Sequence, residues 1–504
     1  MFDKWMITIS YLYLALPTAM FLFGWLKTPY AIIMVISLML AIYAAIQDFE
    51  KVEFFKDYYP LIRNAGAKTL MIVIIVLVWV GLSGIGGFAF QNSDFTLRNA
   101  VFRDLISFHW PVIYSYSNQA GFIPYSGHEG GLVYYLSYWL PAALVGKYFG
   151  WQIANVALYF WTVIGVLLTL YLFFRYERKS PIILTFIFIF WSGLDIVGLL
   201  LKGHIPAFGE HIEWWAGIFQ YSSNTTTLYW VFNQTIPVWV IIMLMMNLKN
   251  AKSILFTYAL AFPFAPFPCI GLAPFILSYV FFGPMSHGDI PRLHKLKLIV
   301  FSNLKQTITI RNLVVAPLII IVFFLYYTSN QGNLGSSGLS SLSGENGDTK
   351  ALIRYFAFII IEFGLSSLLI IKYFRRNPWL IIVIISLILI PIYHAGVSND
   401  FVMRTSIPAL IILMIYVSTF LLHKIKTSIS QRVKVFLVIS LLLGAITPVQ
   451  EIIRSVDMTL LHPNHRITYD IGTLSILDET RNGAISLYVS SEPKKSLFFK
   501  YLAR

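Results

Sequence analysis

Three stretches gather ionisable residues in a chain that has few of them. The richest begins QNSDFTLRNAVFRDLISFHW at Gln91. Asp94 stands four residues before Arg98, so on a helix the two meet across one turn. Arg103, Asp104, His109 and Trp110 follow, and His128 and Glu129 stand between glycines in SGHEGG. A carboxylate at a membrane surface can act as a general base toward an acceptor hydroxyl; the plainer account of Asp94 and Arg98 is a surface ion pair. The second stretch runs from Asp195 to Gln234. Asp195 lies inside the apolar run WSGLDIVGLL, and a charge at that depth faces a polar cavity or a partner. His204, Glu210, His211, Glu213, Trp214, Trp215, Gln220, Tyr221, Asn224, Asn233 and Gln234 come after it. Tryptophan beside carboxylates and amides suits sugars, because rings stack on C–H faces while the polar groups bond hydroxyls. Interfacial anchoring is the plainer account of Trp214 and Trp215. His211 and Glu213 could ligate a divalent cation, but no spacing is specific for one; no metal ligand is assigned, and such a cation is the one cofactor left open. In the third stretch, HAGVSNDFVMRTSIPAL, His394, Asn399, Asp400 and Arg404 bracket the end of an apolar run. A guanidinium there matches a lipid phosphate bidentately; the plainer account is an Asp400–Arg404 pair at i,i+4.

The elements that must hold these residues are membrane helices. Of 504 residues 58% are hydrophobic and only 12% charged, whereas a soluble chain carries about a quarter charged. Mean hydropathy is +0.72. Runs of about 20 apolar residues recur, the length a helix needs to cross a bilayer. The formal charge of +14 then marks basic loops held at the cytoplasmic face rather than a nucleic-acid partner. Cys269 is the single cysteine, which excludes an intrachain disulfide. No P-loop or dinucleotide fingerprint is present.

Basic loops at 51–68, 175–179, 249–252, 292–311, 372–376 and 424–434 fall on one side if the spans are 8–26, 30–46, 69–90, 151–174, 181–201, 226–247, a proline-broken pair within 254–283, 312–328, 351–373, 379–395, 404–423 and 434–452. The expectation is an all-α polytopic membrane protein of about 11–13 transmembrane helices, with residues 1–451 as its membrane domain. The N-terminus is then cytoplasmic. External loops cover 91–150, 202–225, 329–350 and 395–403, and residues 452–504 form an extracytoplasmic tail. Residues 131–149 are apolar, but a crossing there would invert the basic loop at 51–68, so they predict a helix at the outer interface. Residues 331–349 are Gly/Ser-rich and read as a flexible external loop.

An acid just after an early span, in a long external loop with juxtamembrane helices, resembles the C-type (GT-C) superfamily of polytopic membrane glycosyltransferases. The resemblance implies a sugar donor on a polyprenyl-phosphate or polyprenyl-pyrophosphate carrier. It implies an acceptor such as an envelope glycan, a polymer or a protein on the outer face, and a catalytic carboxylate at Asp94. Arg404 would contact the carrier phosphate. Arg98, Asp104, His109, Glu129, Asp195, Glu213, Gln220, Asn233 and Asp400 would bind substrate. Here the loop follows the third span, and Asp94 is followed by Phe95 rather than by a second acid. Two alternatives remain: a polymerase or ligase of lipid-linked oligosaccharide relying on His109 and Arg404, and a transporter or flippase using Asp195 and Glu362.

Overall fold

The computed structural model describes residues 2–49, 65–115, 129–284, 293–330, 337–339, 349–374, 377–396, 399–422, 428–461, 475–479 and 487–504. Lys51, Lys56, Arg63, His128, Arg292, Arg375, Arg376, Lys424, Lys426 and most of the Gly/Ser-rich loop lie outside the described residues. The chain is predominantly helical, and among the described residues nine helices are long and apolar enough to cross a membrane.

Helices α1 (Phe2–Trp25) and α2 (Thr28–Ile46) form a hairpin. The turn between them is tight because Pro29 opens α2, where its missing N–H costs nothing. Helix α3 (Ala65–Gly81) is shorter than the expected span 69–90. The run GLSGIGG ends it: Gly84, Gly86 and Gly87 take φ of 83°, 86° and 77°, which a helix does not use. Asp94 therefore does not adjoin that span. It opens a helix of its own, α4 (Asp94–Ser107), in the first turn, where a carboxylate complements the helix dipole.

Residues 131–149 also differ from expectation. Strand β2 (Glu129–Leu132) pairs antiparallel with β1 (Ile113–Ser115), and only from Leu140 is the segment α-helical. Helix α5 (Leu140–Glu177) contains Gly150 at φ 80°, ψ 178°, so residues 140–149 and 151–177 are two helices meeting at a glycine corner. The expected span 181–201 is likewise two pieces. Helix α6 (Pro181–Phe190) stops at the extended Trp191, and α7 (Asp195–Leu201) restarts with Asp195 in its first turn. Asp195 thus sits at a helix break rather than in the middle of a span.

Helix α8 (Asn224–Asn247) starts where the Ser223 hydroxyl accepts the Thr226 N–H at 3.0 Å, an N-cap. It is buried along almost its whole length and forms the axis of the bundle. The proline-rich stretch 254–283 gives two helices, α9 (Ile254–Ala259) and α10 (Pro266–Phe282). After the amphipathic α11 (Leu293–Thr307) come α12 (Ala316–Thr328), α13 (Ala351–Phe374), α14 (Pro378–Leu389) and α15 (Asp400–Leu422). Helices α16 (Ser428–Gly444) and α17 (Ile446–Leu461) follow, and α17 carries helix ten residues past the expected start of the tail at 452.

The two ends of the bundle are built differently. At one, Asp3 receives Arg175 Nε at 2.7 Å and Tyr171 Oη at 2.7 Å, while Arg175 Nη1 donates to Asn247 at 2.8 Å. Arg311 Nη2 donates to Asp48 at 2.7 Å, and Asp48 is next to Phe49, whose ring lies 5.7 Å from the Arg175 guanidinium. At the other end, the last described stretch is docked rather than loose. Strand β3 (Val489–Ser490) extends the β1–β2 sheet, Phe498 packs on Phe21 and Tyr326, Lys27 N–H donates to the Leu502 carbonyl at 2.9 Å, and Arg504 donates to the Trp110 carbonyl at 2.8 Å. The chain from 487 to 504 is therefore a strap across the end that carries Asp94.

Candidate functional site

Two clusters occupy this end, and α8 touches both, through Phe232 against Arg98 and through Trp230 against Glu451. The first joins α4 to the start of α15. Arg98 Nη2 donates to Asp94 Oδ2 at 2.6 Å, and Arg404 Nη2 to Asp400 Oδ1 at 2.7 Å. Both i,i+4 pairs form because each acid occupies the first turn of its helix. Asp400 lies within electrostatic reach of Arg404, Asp94 and Arg98, so the first and third sequence stretches meet here. The Arg98 guanidinium rests on Phe95 and Phe232, each 5.8 Å from its ring centroid, which shields it from water.

Arg404 Nη1 also donates to the Tyr135 hydroxyl at 2.6 Å. The Tyr135 ring packs tilted against Tyr134 with centroids 3.7 Å apart, and Tyr134 likewise against Tyr488 of the strap at 4.7 Å. Burial pushes the Tyr134 hydroxyl well above its usual range; Tyr135 and Tyr488 add to this while Arg404 and Arg98 oppose it, so both arginines act on this tyrosine stack. Asp94 differs from its neighbours in exposure: its side chain is 43% exposed while that of Arg98 is 8% exposed. The acid is open to water beside buried cations. Among the described residues, Arg98 Nη1, Arg404 Nε, Thr405 Oγ1 and Asn399 Oδ1 are buried without a hydrogen-bond partner. Buried unpaired polar atoms of that kind are rare, and several together mark a place where a ligand or water belongs.

The second cluster is acidic. His211 Nδ1 lies 2.6 Å from Glu451 Oε1, Trp230 donates to Glu451 Oε2 at 3.1 Å, and Arg454 pairs with the same carboxylate while lying 5.2 Å over the Trp230 ring. Glu213 accepts the Ser223 N–H at 2.8 Å and Gln220 Nε2 at 2.7 Å, and Gln220 in turn accepts the Trp214 indole at 3.0 Å. Asp195 accepts from Thr447 at 2.8 Å and Ser192 at 3.1 Å; Glu362 accepts the Trp215 indole at 2.7 Å and faces Asp195. No group of three or more potential ligands in metal-binding geometry occurs among the described residues.

Burial pushes the Glu213 carboxyl up to about 7; His211 pulls against this, and Asp195 and Glu451 add to it. Burial resists charge on His211, but the Glu451 hydrogen bond and the Glu213 and Glu451 charges outweigh it and raise the imidazole above its usual value. Both groups hold protons more tightly folded than unfolded, so their contribution to stability is full at low pH and lost as pH rises. For Glu213 the window runs from 4.5 to about 7. Melting midpoints of detergent-solubilised protein should fall across that window, and Glu213→Gln should flatten the fall by removing one titration. An unchanged slope in Glu213→Gln would rule out this account of the cluster.

Asp104 is buried and serves as a clamp: Tyr114 donates to it at 2.6 Å, Ser475 at 3.1 Å and the Ile476 N–H at 3.0 Å. His109 is exposed at the end of α4, and Glu129 is exposed and paired with Lys494 at 2.7 Å. Asn233 sits just past a non-helical residue, Val231, in α8; both its amide atoms are buried and unpartnered among the described residues. Glu451, Arg454, Trp230, Tyr135 and Tyr488 carry the site without having been singled out from sequence. For Glu451 a signal existed: VQEIIRSVD places Glu451, Arg454 and Ser455 on one helical face.

The chain matches no protein-family model, no curated protein and no solved structure. What fold and site define is a class: an α-helical membrane protein with ionisable clusters gathered at one end of its bundle.

Proposed function

We propose that this chain is a membrane glycosyltransferase that moves a sugar from a polyprenyl-phosphate carrier to a glycan, polymer or protein acceptor on the outer face. The observation that carries the reading is the arginine pair: two buried guanidinium groups, each with an unpartnered donor nitrogen, beside a water-accessible Asp94. In the step proposed, Asp94 takes the proton of the acceptor hydroxyl and the acceptor oxygen bonds to the anomeric carbon. The bond from that carbon to the carrier phosphate oxygen breaks, and its electron pair stays on the phosphate. Arg404 and Arg98 stabilise the charge that develops there. The tyrosine stack and the second cluster's Glu213 and Gln220 would flank the sugar and its acceptor. The test is transfer of a labelled sugar from polyprenyl-phosphate donors in proteoliposomes; no transfer from any such donor overturns the reading.

The reading also requires the Asp94 end to be extracytoplasmic and the N-terminus cytoplasmic. It is supported by the basic residues Arg175, Arg178, Lys179, Lys249, Lys252 and Arg311 at the opposite end. Cysteines placed at the exposed His109 and Ser302 should react with an impermeant reagent from opposite sides of the membrane, and the native Cys269 is buried and should stay silent. Labelling of both from one side would overturn the topology.

A further inference from the structure

Lys27, Lys147, Lys500 and Arg504 form one connected patch at the Asp94 end, away from both clusters. Residues 25–27 and 502–504 pair as a short antiparallel bridge, with the Arg504 N–H on the Trp25 carbonyl at 3.0 Å and the Lys27 N–H on that of Leu502 at 2.9 Å. Lys27 Nζ donates to the Tyr501 carbonyl at 3.0 Å, and Lys500 Nζ lies 5.2 Å from the Tyr501 ring centroid. Arg504 Nη2 donates to the Trp110 carbonyl at 2.8 Å. Lys147 Nζ lies 5.1 Å from the Trp110 ring centroid while donating to the Ile106 carbonyl at 3.2 Å. Among the described residues, the partners of these cations are neutral carbonyls and rings, not acids. The strap's other lysines differ: Lys494 and Lys495 pair with Glu129 and Glu492 at 2.7 Å each. Even with the α-carboxylate of Arg504 counted against it, the patch keeps an excess of positive charge.

The patch sits at headgroup depth. Along α2, Tyr30, Ile32, Ile33 and Ile36 are exposed, so this face of the helix meets acyl chains. Ile33 lies about 9 Å along the helix from Lys27 at 1.5 Å per residue, which puts Lys27 just outside the hydrocarbon. Beside Lys147, Tyr148 and Phe149 are 78% and 69% exposed, and Tyr501 of the strap is 54% exposed. Exposed aromatic rings with lysines among them are what a membrane protein carries at the polar edge of a bilayer. On the topology proposed above this end is external, where Lys and Arg are otherwise scarce. A local excess there calls for an anion on the same side. A polyanion arriving from water would meet the charges and leave the rings wet, whereas a phospholipid covers both.

We propose that this patch binds the headgroup of an anionic phospholipid in the leaflet at the Asp94 end, and that the bound lipid holds the strap against the turn between α1 and α2. Net headgroup charge separates the phospholipids. A choline or ethanolamine ammonium would face the same lysines, whereas phosphatidylglycerol brings only its phosphate charge. Arg504 spends Nε and Nη2 on the Trp110 carbonyl, which leaves Nη1 for a phosphate oxygen. Because the strap also carries Tyr488 to Tyr134, lipid in this patch steadies the tyrosine wall from outside the site. The inference does not depend on the transferase reading.

The experiment measures amide hydrogen exchange over residues 487–504 of the full chain, in nanodiscs of phosphatidylcholine and in nanodiscs of phosphatidylglycerol. One basic group near an anionic surface is worth about fivefold in binding, so exchange in the strap should be slower by about tenfold or more in phosphatidylglycerol. Lys500→Gln removes a charge whose side chain touches only the Tyr501 ring, and it should remove about fivefold of that slowing. Lys297→Gln with Lys305→Gln, at exposed positions on α11 near the opposite end, should remove none of it. Equal exchange in the two lipids overturns the inference. Loss of the slowing in the α11 variant but not in Lys500→Gln overturns it by moving the effect to the other leaflet. Equal slowing in phosphatidylcholine on adding soluble polyphosphate overturns it in favour of a polyanion docking from water. The two lipids are compared on the unaltered protein, so a variant that fails to fold leaves that comparison decisive.

Discussion

Asp94→Asn is expected to lower sugar transfer by about 10²–10⁴-fold, the range for loss of a general base, while leaving protein level and carrier binding intact. Asparagine keeps the size of the side chain and can still accept from Arg98, which holds Asp94 at 2.6 Å. What it loses is proton affinity. The separation of effects is the point of the experiment, since an acid that only held Arg98 in place would change binding as well as turnover. Initial rates and carrier affinity should be measured on the same proteoliposome preparation. Full activity in Asp94→Asn removes Asp94 as the base. If Glu362→Gln instead stopped net movement of a solute, the facing carboxylates of Asp195 and Glu362 would make transport the better reading.

Arg175→Ala is expected to cost about 3–5 kcal/mol of stability, the range for removing one partner of a buried ion pair. Asp3 is 6% exposed and would be left without its cation. The same change also strips Asn247 of a donor at 2.8 Å, so α1, α5 and α8 lose their common tie. Asp3→Asn alone should be nearly as harmful, because Arg175 would then be the unpaired charge. A double variant, Asp3→Leu with Arg175→Met, should recover most of the loss, since buried pairs often contribute little over well-packed apolar side chains. Melting midpoints in detergent check the series. Additive losses in the double variant would show that the pair is not the cause.

Membrane character was legible because it is written in composition, and helix positions because each apolar run has nowhere else to go. Helix ends were less so. The third span stops early because glycines at 84, 86 and 87 take left-handed backbone, a cost invisible to hydropathy alone. Asp195 read as a charge buried in a span, since the break at Trp191 has neither proline nor glycine at its first residue. The pairs Asp94–Arg98 and Asp400–Arg404 could be anticipated from their spacing of four. That the two pairs meet is a tertiary fact no local spacing encodes. Tyr134 and Tyr135 belong to a segment expected at the interface, and only packing sets them against Tyr488 of the strap; Glu451 marked the expected boundary of the tail, and helix α17 runs straight through it.

The strap has a consequence for the order in which the molecule is built. Arg504 bonds to Trp110 across 394 positions of chain, and Tyr488 reaches Tyr134 over a comparable separation. Contacts so distant form only after the intervening loop entropy has been met, which places them late in folding. The bundle's helices make most of their hydrogen bonds within themselves and can form before the strap arrives. Occupancy of the arginine cluster would therefore report on completed tertiary assembly, and a partly folded chain would be helical and membrane-embedded yet lack the tyrosine wall of its site.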